Sequence, residues 1–187
     1  MSMQIYLTKN SIFSALLILM SMLIIVRITP VTVAPVIKLV ISKNRSSITN
    51  IHQQRDIEST IEITIDRLNL LHNGRFGHPK LGNIASYSDD FFVDVDHKII
   101  VKKADTYRFL SGSDDGFYLM VDGKQVCEHT GDRPYAVQSC AIFLNEGEHQ
   151  VRASYFQGFG NSGFTLEYAR GEEKQKWFGD DSAAVKF

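Results

Sequence analysis

A succession of short β-type runs, each closed by a turn signal, constrains the fold of this 187-residue chain more than any other feature. Ile61, Ile63 and Ile65 alternate with polar residues, which is the period of a strand with one buried face. Similar runs follow at 91–95, 99–101, 107–110, 117–121, 125–127, 137–144, 149–156 and 164–168. Gly, Asp and Asn separate them, and the pair Asp122-Gly123 is typical of a tight hairpin. This spacing predicts an all-β fold, an antiparallel β-sandwich.

One long apolar run precedes this β pattern. Residues 11–28 contain a single charge, Arg27, and as a helix they would span about 27 Å, close to the thickness of a bilayer core. The run exceeds the apolar part of a usual signal peptide, and no clean cleavage motif follows it. An uncleaved signal-anchor is therefore favoured over a cleaved leader. We expect one N-terminal transmembrane helix ahead of the sandwich.

Composition divides the chain into four predicted segments. Residues 1–42 comprise the transmembrane anchor and an apolar juxtamembrane stretch. Residues 43–60 are polar and lack periodic apolar positions, as in a linker. The sandwich is expected at 61–170, and 171–187 form a charged tail.

Charge is distributed unevenly along the sequence. The six basic residues of 1–55 all precede the first acidic residue, Asp56, which leaves 14 basic and 21 acidic residues in 56–187. A basic segment next to a membrane suits anionic lipid headgroups, whereas an acidic domain argues against nucleic acid as a partner. The positive-inside rule alone would place the domain in the cytoplasm. The cysteines and the family resemblance described below favour export instead, so the orientation stays open at this point.

The two cysteines, Cys127 and Cys140, favour a disulfide. In an exported domain of this size, an even number of cysteines with none left over is typical of a disulfide framework. The alternative is a pair of buried thiols in a cytosolic protein. The sequence has no C-x-x-C spacing, so a zinc or thioredoxin-type site is not indicated.

Two segments carry a more specific motif. Around 107–124 an aromatic strand leads to the turn Ser113-Asp114-Asp115-Gly116, a second strand and a hairpin, and later the chain reads EGEHQVRASYFQGFGNSGFTLEY. Together they resemble the protective-antigen-type domain, a β-sandwich found in adhesins, toxins and glycan-active enzymes. The matching positions are Tyr107, Phe109, Ser113, Asp114, Asp115, Gly116, Leu119, Asp122, Gly123, Gly147, His149, Tyr155 and Leu166.

The resemblance implies a calcium-dependent carbohydrate site. In sugar-binding members, two adjacent aspartates are joined by a cis peptide bond, and both carboxylates face one Ca²⁺ ion at the tip of the sandwich. Asp114 and Asp115 match these two residues. Calcium takes six to eight oxygen ligands, and sugar hydroxyl groups can complete such a shell.

In those members a later loop supplies the remaining ligands through a carboxamide and backbone carbonyl groups. The corresponding loop here implies the Gln157 side chain, with Asn161 as the alternative, and the carbonyl groups of Gly158 and Phe159. The ring of Phe159 would offer an apolar face to a sugar. Asp114, Asp115, Gln157, Phe159 and Asn161 are thus the expected carbohydrate-binding residues.

Plainer interpretations of the same residues stay open. In one alternative, Asp114 and Asp115 have no role beyond forming a turn, in which their carboxylates accept hydrogen bonds from backbone N–H groups. The spacing of an EF-hand is absent from the sequence. Adjacent aspartates do not supply the two separated carboxylates of a glycosidase, and the common catalytic motifs are missing, so we predict no catalytic residues. His149 lies in a predicted strand and is interpreted as structural.

The sequence therefore predicts a non-catalytic, membrane-anchored binding module in the periplasm or at the cell surface. Its expected ligand is a glycan or a cell-surface polysaccharide. The alternative is an accessory or structural subunit that docks through its sandwich on other subunits of a membrane complex.

Overall fold

The computed structural model describes residues 9–28 and 32–187, and for 25–28 it describes the backbone alone. The chain divides into two units, Met1–Thr32 and Val33–Phe187. The elements are α1 Lys9–Ile28, β1 Ile37–Asn44, β2 Ile57–Ile65, β3 Asn69–His72, β4 Arg75–Phe76, β5 Phe91–Val101, β6 Asp105–Asp114, β7 Phe117–Val121, β8 Lys124–His129, β9 Ala136–Leu144, β10 Gly147–Gln157, β11 Gly163–Arg170, β12 Lys176–Trp177 and β13 Val185–Lys186.

Helix α1 covers the whole predicted apolar run at 11–28, and its described apolar side chains, such as Phe13 and Leu23, are exposed. A membrane crossing requires at least 18 residues of sufficient hydropathy. No helix within 9–28 and 32–187 meets that requirement. The predicted transmembrane anchor is therefore not supported. The remaining parts of the predicted anchor segment, 1–8 and 29–31, lie outside the described residues.

The second unit is a sandwich of two antiparallel sheets, which confirms the predicted fold class. The first sheet has the order β2-β1-β5-β10-β7-β8, and β13 pairs with β5. The second has the order β4-β3-β11-β6-β9, and β12 pairs with β11. The hairpin of β7 and β8 turns at Asp122 and Gly123, both with positive φ, as the Asp-Gly pair predicts.

The core between the sheets is rich in aromatic side chains. The rings of Tyr155 on β10 and Phe164 on β11 stack across the two sheets with centroids 5.3 Å apart. Phe91, Phe117 and Tyr155 are fully buried. Burying one such side chain contributes about 2–3 kcal/mol, so this cluster fixes the ends of the strands that surround it.

A disulfide joins the two sheets at one edge, as predicted. Cys127 lies on β8, the last strand of the first sheet, and Cys140 lies on β9, the last strand of the second. Their Cα atoms are 5.8 Å apart.

The predicted linker at 43–60 belongs to the sandwich. Its ends extend β1 and β2, and the intervening segment lays Ile48 and Ile51 on Phe92 and Phe156 on the outer side of the first sheet. Two isolated apolar residues in a polar segment form no repeating pattern, so the sequence alone did not indicate that this segment packs on the sheet. Part of the predicted juxtamembrane stretch is β1 itself, so the domain begins well before residue 61.

Two further boundaries differ from the prediction. The runs 91–95 and 99–101 form one continuous strand, β5, because the polar residues between them lie in the ladder with β10. The predicted tail packs on the sandwich, since Phe178 is fully buried and β13 pairs with β5. The paired residues of β13 and β5 are more than 80 positions apart in sequence, so no local pattern could predict this pairing.

Candidate functional site

The Asp114–Asp115 pair lies where β6 ends and the chain turns into β7. The peptide bond between the two residues is cis. Their exposed fractions are 7% and 5%, so both are buried although they lie in a turn. The structure therefore places the two predicted acidic residues together at one end of the sandwich.

Backbone amides from two loops contact the carboxylates. The N–H group of Gly158 donates to Oδ2 of Asp115 at 2.8 Å, and that of Arg133 donates to Oδ1 at 3.3 Å. The N–H group of Tyr135 donates to Oδ2 of Asp114 at 3.1 Å. Within the described part of the chain, Oδ1 of Asp114 accepts no hydrogen bond, so this oxygen has the capacity for another ligand.

Burial raises the pKa of both carboxyl groups. For Asp114 this effect exceeds the opposing influence of the Tyr135 N–H group and the Arg133 charge. For Asp115, the effect of burial exceeds the opposing effect of the hydrogen bonds from the Gly158 and Arg133 N–H groups. The negative charge of Asp132 raises the pKa of Asp115 further. Neither carboxylate forms an ion pair with a basic side chain among residues 9–28 and 32–187, so their negative charge is incompletely compensated.

Gln157 does not join the two carboxylates. Its side chain is fully buried, its Oε1 accepts a hydrogen bond from the Tyr155 hydroxyl at 2.7 Å, and its Nε2 donates to the Asn161 carbonyl at 2.8 Å. Side chains two residues apart on a strand lie on the same face, so Gln157 follows Tyr155 into the interior. Both ends of its amide are engaged, which leaves it poorly placed to bind a cation.

Asp115 lines an open cleft at this end of the sandwich, the tip cleft, with a volume of about 420 Å³. The lining residues are Ser47, Ile48, Thr49, Asp90, Asp115, Asp132, Gly158 and Phe159. Three of them are acidic and none is basic, so the cleft has a negative potential. The Phe159 ring is 88% exposed and gives the acidic cleft one apolar wall. Asn161, the alternative carboxamide, is exposed but does not line the cleft.

Gly158 allows the two sides of the tip cleft to approach each other. A Cβ atom at this position would lie 2.6 Å from the carbonyl oxygen of Ile48 and 3.3 Å from Oδ2 of Asp115. Its own carbonyl oxygen accepts the N–H group of Asp90 at 3.0 Å. Because residue 158 has no side chain, the segments that carry Ile48, Asp90 and Asp115 can pack closely around its backbone.

The donor set fits a hard cation in part. Two buried, incompletely compensated carboxylates are the ligands that calcium prefers, and Phe159 adds a backbone carbonyl group on the adjacent loop. Among the described residues, no three His, Cys, Asp or Glu side chains are grouped closely enough to hold a metal ion. A cation here would depend on Asp114, Asp115, backbone carbonyl groups and ligand hydroxyls.

Sequence reasoning missed Asp90, Asp132 and the wall formed by 47–49. Asp132 follows Gly131 in a connection that reads as an ordinary turn, and 47–49 lie in the segment interpreted as a linker. These residues reach the tip cleft through contacts between distant segments, such as the hydrogen bond from the Ile48 N–H group to Oδ1 of Asp90 at 3.0 Å.

Solved structures of other proteins have the same fold. A PA14 sugar-binding domain from an RTX adhesin aligns with 79% of this chain and 96% of its own length, with 16% identity and a TM-score of 0.61. The A domain of epithelial adhesin 9 from Candida glabrata, in complex with Galb1-3GlcNAc, aligns with 80% of this chain and 91% of its own, with 11% identity and a TM-score of 0.56. The chain therefore folds as a protective-antigen-type (PA14-type) β-sandwich, which confirms the resemblance at the level of fold.

The same fold also occurs in longer proteins. An anti-sigma factor domain-containing protein aligns with 78% of this chain at 16% identity and a TM-score of 0.59, and the chain spans 46% of that protein's length. No protein-family profile matches the sequence. No curated protein matches it either.

Proposed function

We propose that this protein is a non-catalytic glycan-binding module whose ligand occupies the tip cleft. The observation that carries the proposal is the presence of the Asp115 carboxylate and the exposed Phe159 ring in one cleft. Carboxylates accept hydrogen bonds from sugar hydroxyls, and an aromatic ring packs on the apolar face of a pyranose. The fold supports this choice, because neighbours of low identity include a domain described as sugar-binding and an adhesin in complex with a disaccharide.

Calcium is the proposed cofactor of this site. Asp114 and Asp115 would hold the ion, with the carbonyl group of Phe159 as a further oxygen donor from the adjacent loop. A bound cation would compensate the buried charge and polarise the sugar hydroxyls that complete its shell. Gln157 is not included, because its amide is engaged inside the domain.

Export to the periplasm or the cell surface is part of the proposal. The Cys127–Cys140 disulfide supports it, because such bonds persist in oxidising compartments. A surface polysaccharide is then the expected class of ligand.

A glycan array probed with the full chain tests the proposal. We expect retention on neutral glycans in calcium, loss of retention in a chelator, and loss in Asp114→Asn. Phe159→Ala should weaken binding at least about fivefold, the magnitude of one lost aromatic contact. Phe143→Ala is the matched control, since Phe143 is also exposed but lies near the other end of the sandwich. Unchanged binding in Phe159→Ala would contradict the proposal.

A second candidate is an accessory subunit that docks through its sandwich. Val137 and Phe143 are 58% and 61% exposed, and both lie on one face of β9, the last strand of its sheet. Co-purification of a partner that is lost in a Val137→Ser, Phe143→Ser double variant, without glycan retention, would favour this candidate.

A further inference from the structure

A second cleft opens beside the tip cleft and has a different chemical character. It has a volume of about 360 Å³ and lies between the β3–β4 hairpin and the loop before β5. We call it the side cleft, and the lining residues that matter here are Arg75, Phe76, Asn83, Ser86, Tyr87 and Ser162. This volume falls within the range of small-ligand sites.

The two clefts adjoin each other through two short segments. Ser88 lines the side cleft and Asp90 lines the tip cleft, so the Cα atoms of these lining residues are at most about 7 Å apart along the chain. Gly158 and Ser162 line the two clefts from opposite ends of one loop. One oligosaccharide can therefore contact both clefts with successive sugar units.

The charge of the side cleft is opposite to that of the tip cleft. Its lining contains Arg75 and no Asp or Glu. Among the described residues, Arg75 forms no ion pair and no side-chain hydrogen bond, and it is exposed. Asp89, which follows the lining residue Ser88, is paired with Lys43 at 3.0 Å. The guanidinium group of Arg75 is thus available to an external anion, and its planar geometry suits a carboxylate.

The remaining lining suits a polyhydroxylated ring. Asn83 and Ser86 are exposed. The amide oxygen of Asn83 accepts a hydrogen bond from the Ala85 N–H group at 3.1 Å, while its NH2 group can donate to a ligand, and the Ser86 hydroxyl can both donate and accept. Phe76 and Tyr87 contribute aromatic surface. Ser162 is buried and accepts the N–H group of Phe76 at 2.8 Å, which fixes the floor of the cleft to the loop that it shares with the tip cleft.

We propose that the side cleft binds a uronate sugar, with the Arg75 guanidinium group contacting the carboxylate. This inference deepens the proposed function by naming the class of sugar beside the tip cleft. It rests on that function only for the choice of a sugar as ligand, because the side cleft has its own lining and its own charge.

Titrations followed by amide chemical shifts of the full chain test the inference, with galacturonate and galactose as a pair that differs in the carboxylate. We expect galacturonate, but not galactose or acetate, to shift the amides of 72–77 and 83–88. The apparent dissociation constant should rise at least about tenfold in Arg75→Gln, the scale of a lost charge-assisted contact. It should stay unchanged in Arg152→Gln, an exposed arginine that lines neither cleft.

Equal responses to galacturonate and acetate, or galacturonate binding that is unaffected in Arg75→Gln, would overturn the inference. The two proposals fail separately. If the chain does not retain neutral glycans but still shows the Arg75-dependent response to galacturonate, only the tip-cleft proposal is contradicted. If the chain binds neutral glycans but galacturonate does not shift the amides of 72–77, only the uronate proposal is contradicted.

Discussion

Asp115 and Gly158 are joined by a hydrogen bond in which the backbone N–H group of Gly158 donates to Oδ2 of Asp115 at 2.8 Å. This contact links the turn after β6 to the loop after β10, although 43 residues separate them in sequence. It also positions Phe159, the next residue, at the mouth of the tip cleft.

Gly158→Ala should disrupt the tip cleft without unfolding the sandwich. The added methyl group would lie 2.6 Å from the Ile48 carbonyl oxygen, a backbone atom that cannot rotate away. We expect a loss of about 1–3 kcal/mol of stability and at least a tenfold loss of glycan affinity, because Phe159 and Ile48 must move apart. Denaturant unfolding and array binding measure the two effects. Gly131→Ala is the control, since a Cβ atom there meets its nearest neighbour at 3.8 Å. Equal stability and equal glycan affinity of Gly158→Ala and Gly131→Ala would contradict the close packing of Gly158 against Ile48.

Asp114→Asn should abolish the calcium response of the chain without lowering its stability in the absence of calcium. The amide oxygen can still accept the Tyr135 N–H group, while the variant loses a buried charge that lacks an ion-pair partner. We expect an equal or higher melting temperature without calcium, because unpaired buried charge is unfavourable, and no increase on adding calcium. The wild-type chain should gain about 2.7 kcal/mol when the ion is present at 100 times its dissociation constant. Asp96→Asn, on the exposed outer face, should respond like wild type. A calcium response that persists in Asp114→Asn would remove this residue from the site.

Lowering the pH should weaken the calcium response. Burial raises the pKa of Asp114 and Asp115, so each carboxyl group takes up a proton in the folded state at a pH where it is still ionised in the unfolded chain. Without the ion, these two groups therefore favour folding more as the pH falls through their raised values. With the ion, protons compete for the same oxygens. The calcium-induced rise in melting temperature should be smaller at about pH 5 than at about pH 7.5, and an equal rise at both would contradict the assignment.

His149 should make stability decrease as the pH rises above neutrality. Burial lowers its pKa, but hydrogen bonds from Nδ1 to Asp122 and from Nε2 to the Asn145 carbonyl outweigh burial and raise it. Both partners are acceptors, so both ring nitrogens donate and the imidazole is charged. The stabilisation is complete below the ordinary pKa of about 6.5 and is lost as the pH passes the raised value. On the acid side, burial raises the pKa of Asp122, while hydrogen bonds from His149 and Gln150 lower it by more, so its contribution is lost as the pH falls below about 3.8.

The measurement is the melting temperature of wild type and His149→Gln between about pH 4 and pH 9. The difference between them should be largest near pH 5–6 and shrink towards pH 9. His72→Gln serves as the control, because the only side-chain hydrogen bond of His72 among the described residues is with its neighbour Asn73. A difference that is independent of pH would show that His149 acts through packing alone.

Removing the disulfide should destabilise the sandwich by about 3 kcal/mol in the loop-entropy model, since the bridged residues are 13 positions apart. For a domain of this size that corresponds to a fall of roughly 6–12 °C in melting temperature. Calorimetry of a Cys127→Ala, Cys140→Ala double variant measures it, and reductant should lower the wild type to the same value. A wild-type melting temperature that is insensitive to reductant would contradict the role of the bridge.

The sequence predicted what is local and missed what is assembled from distant segments. The Asp114-Asp115 turn, the Asp122-Gly123 hairpin and most strands follow from residues within a few positions of one another. Asp90 and Asp132 come from separate connections that meet only after the sheets pack, so no spacing could indicate them. The strands β1 and β13 were missed because their partners on β5 are remote in sequence.

The orientation of Gln157 is different, since the period of β10 contained the information. The Tyr155 ring packs between the two sheets against Phe164, and the residue two positions later on the strand shares its face. Family resemblance favoured an outward carboxamide, whereas the hydroxyl group of Tyr155 offers an inward partner. Local strand geometry was the better guide at this position.

The register of β5 gives the domain a polarity. Its first residue, Phe91, pairs with Lys43 and Gln157 next to the tip cleft, whereas its last, Val101, pairs with Gly147 and Val185. Strand β1 therefore runs towards the tip cleft, and β13 pairs with the opposite end of β5. Strand β1 is about 25 Å long, so its first residue, Ile37, lies about that far from the end of β1 beside the tip cleft. Substitutions at the end of β5 that pairs with β13 therefore report on the stability of the sandwich alone, because the full length of β5 separates them from the tip cleft.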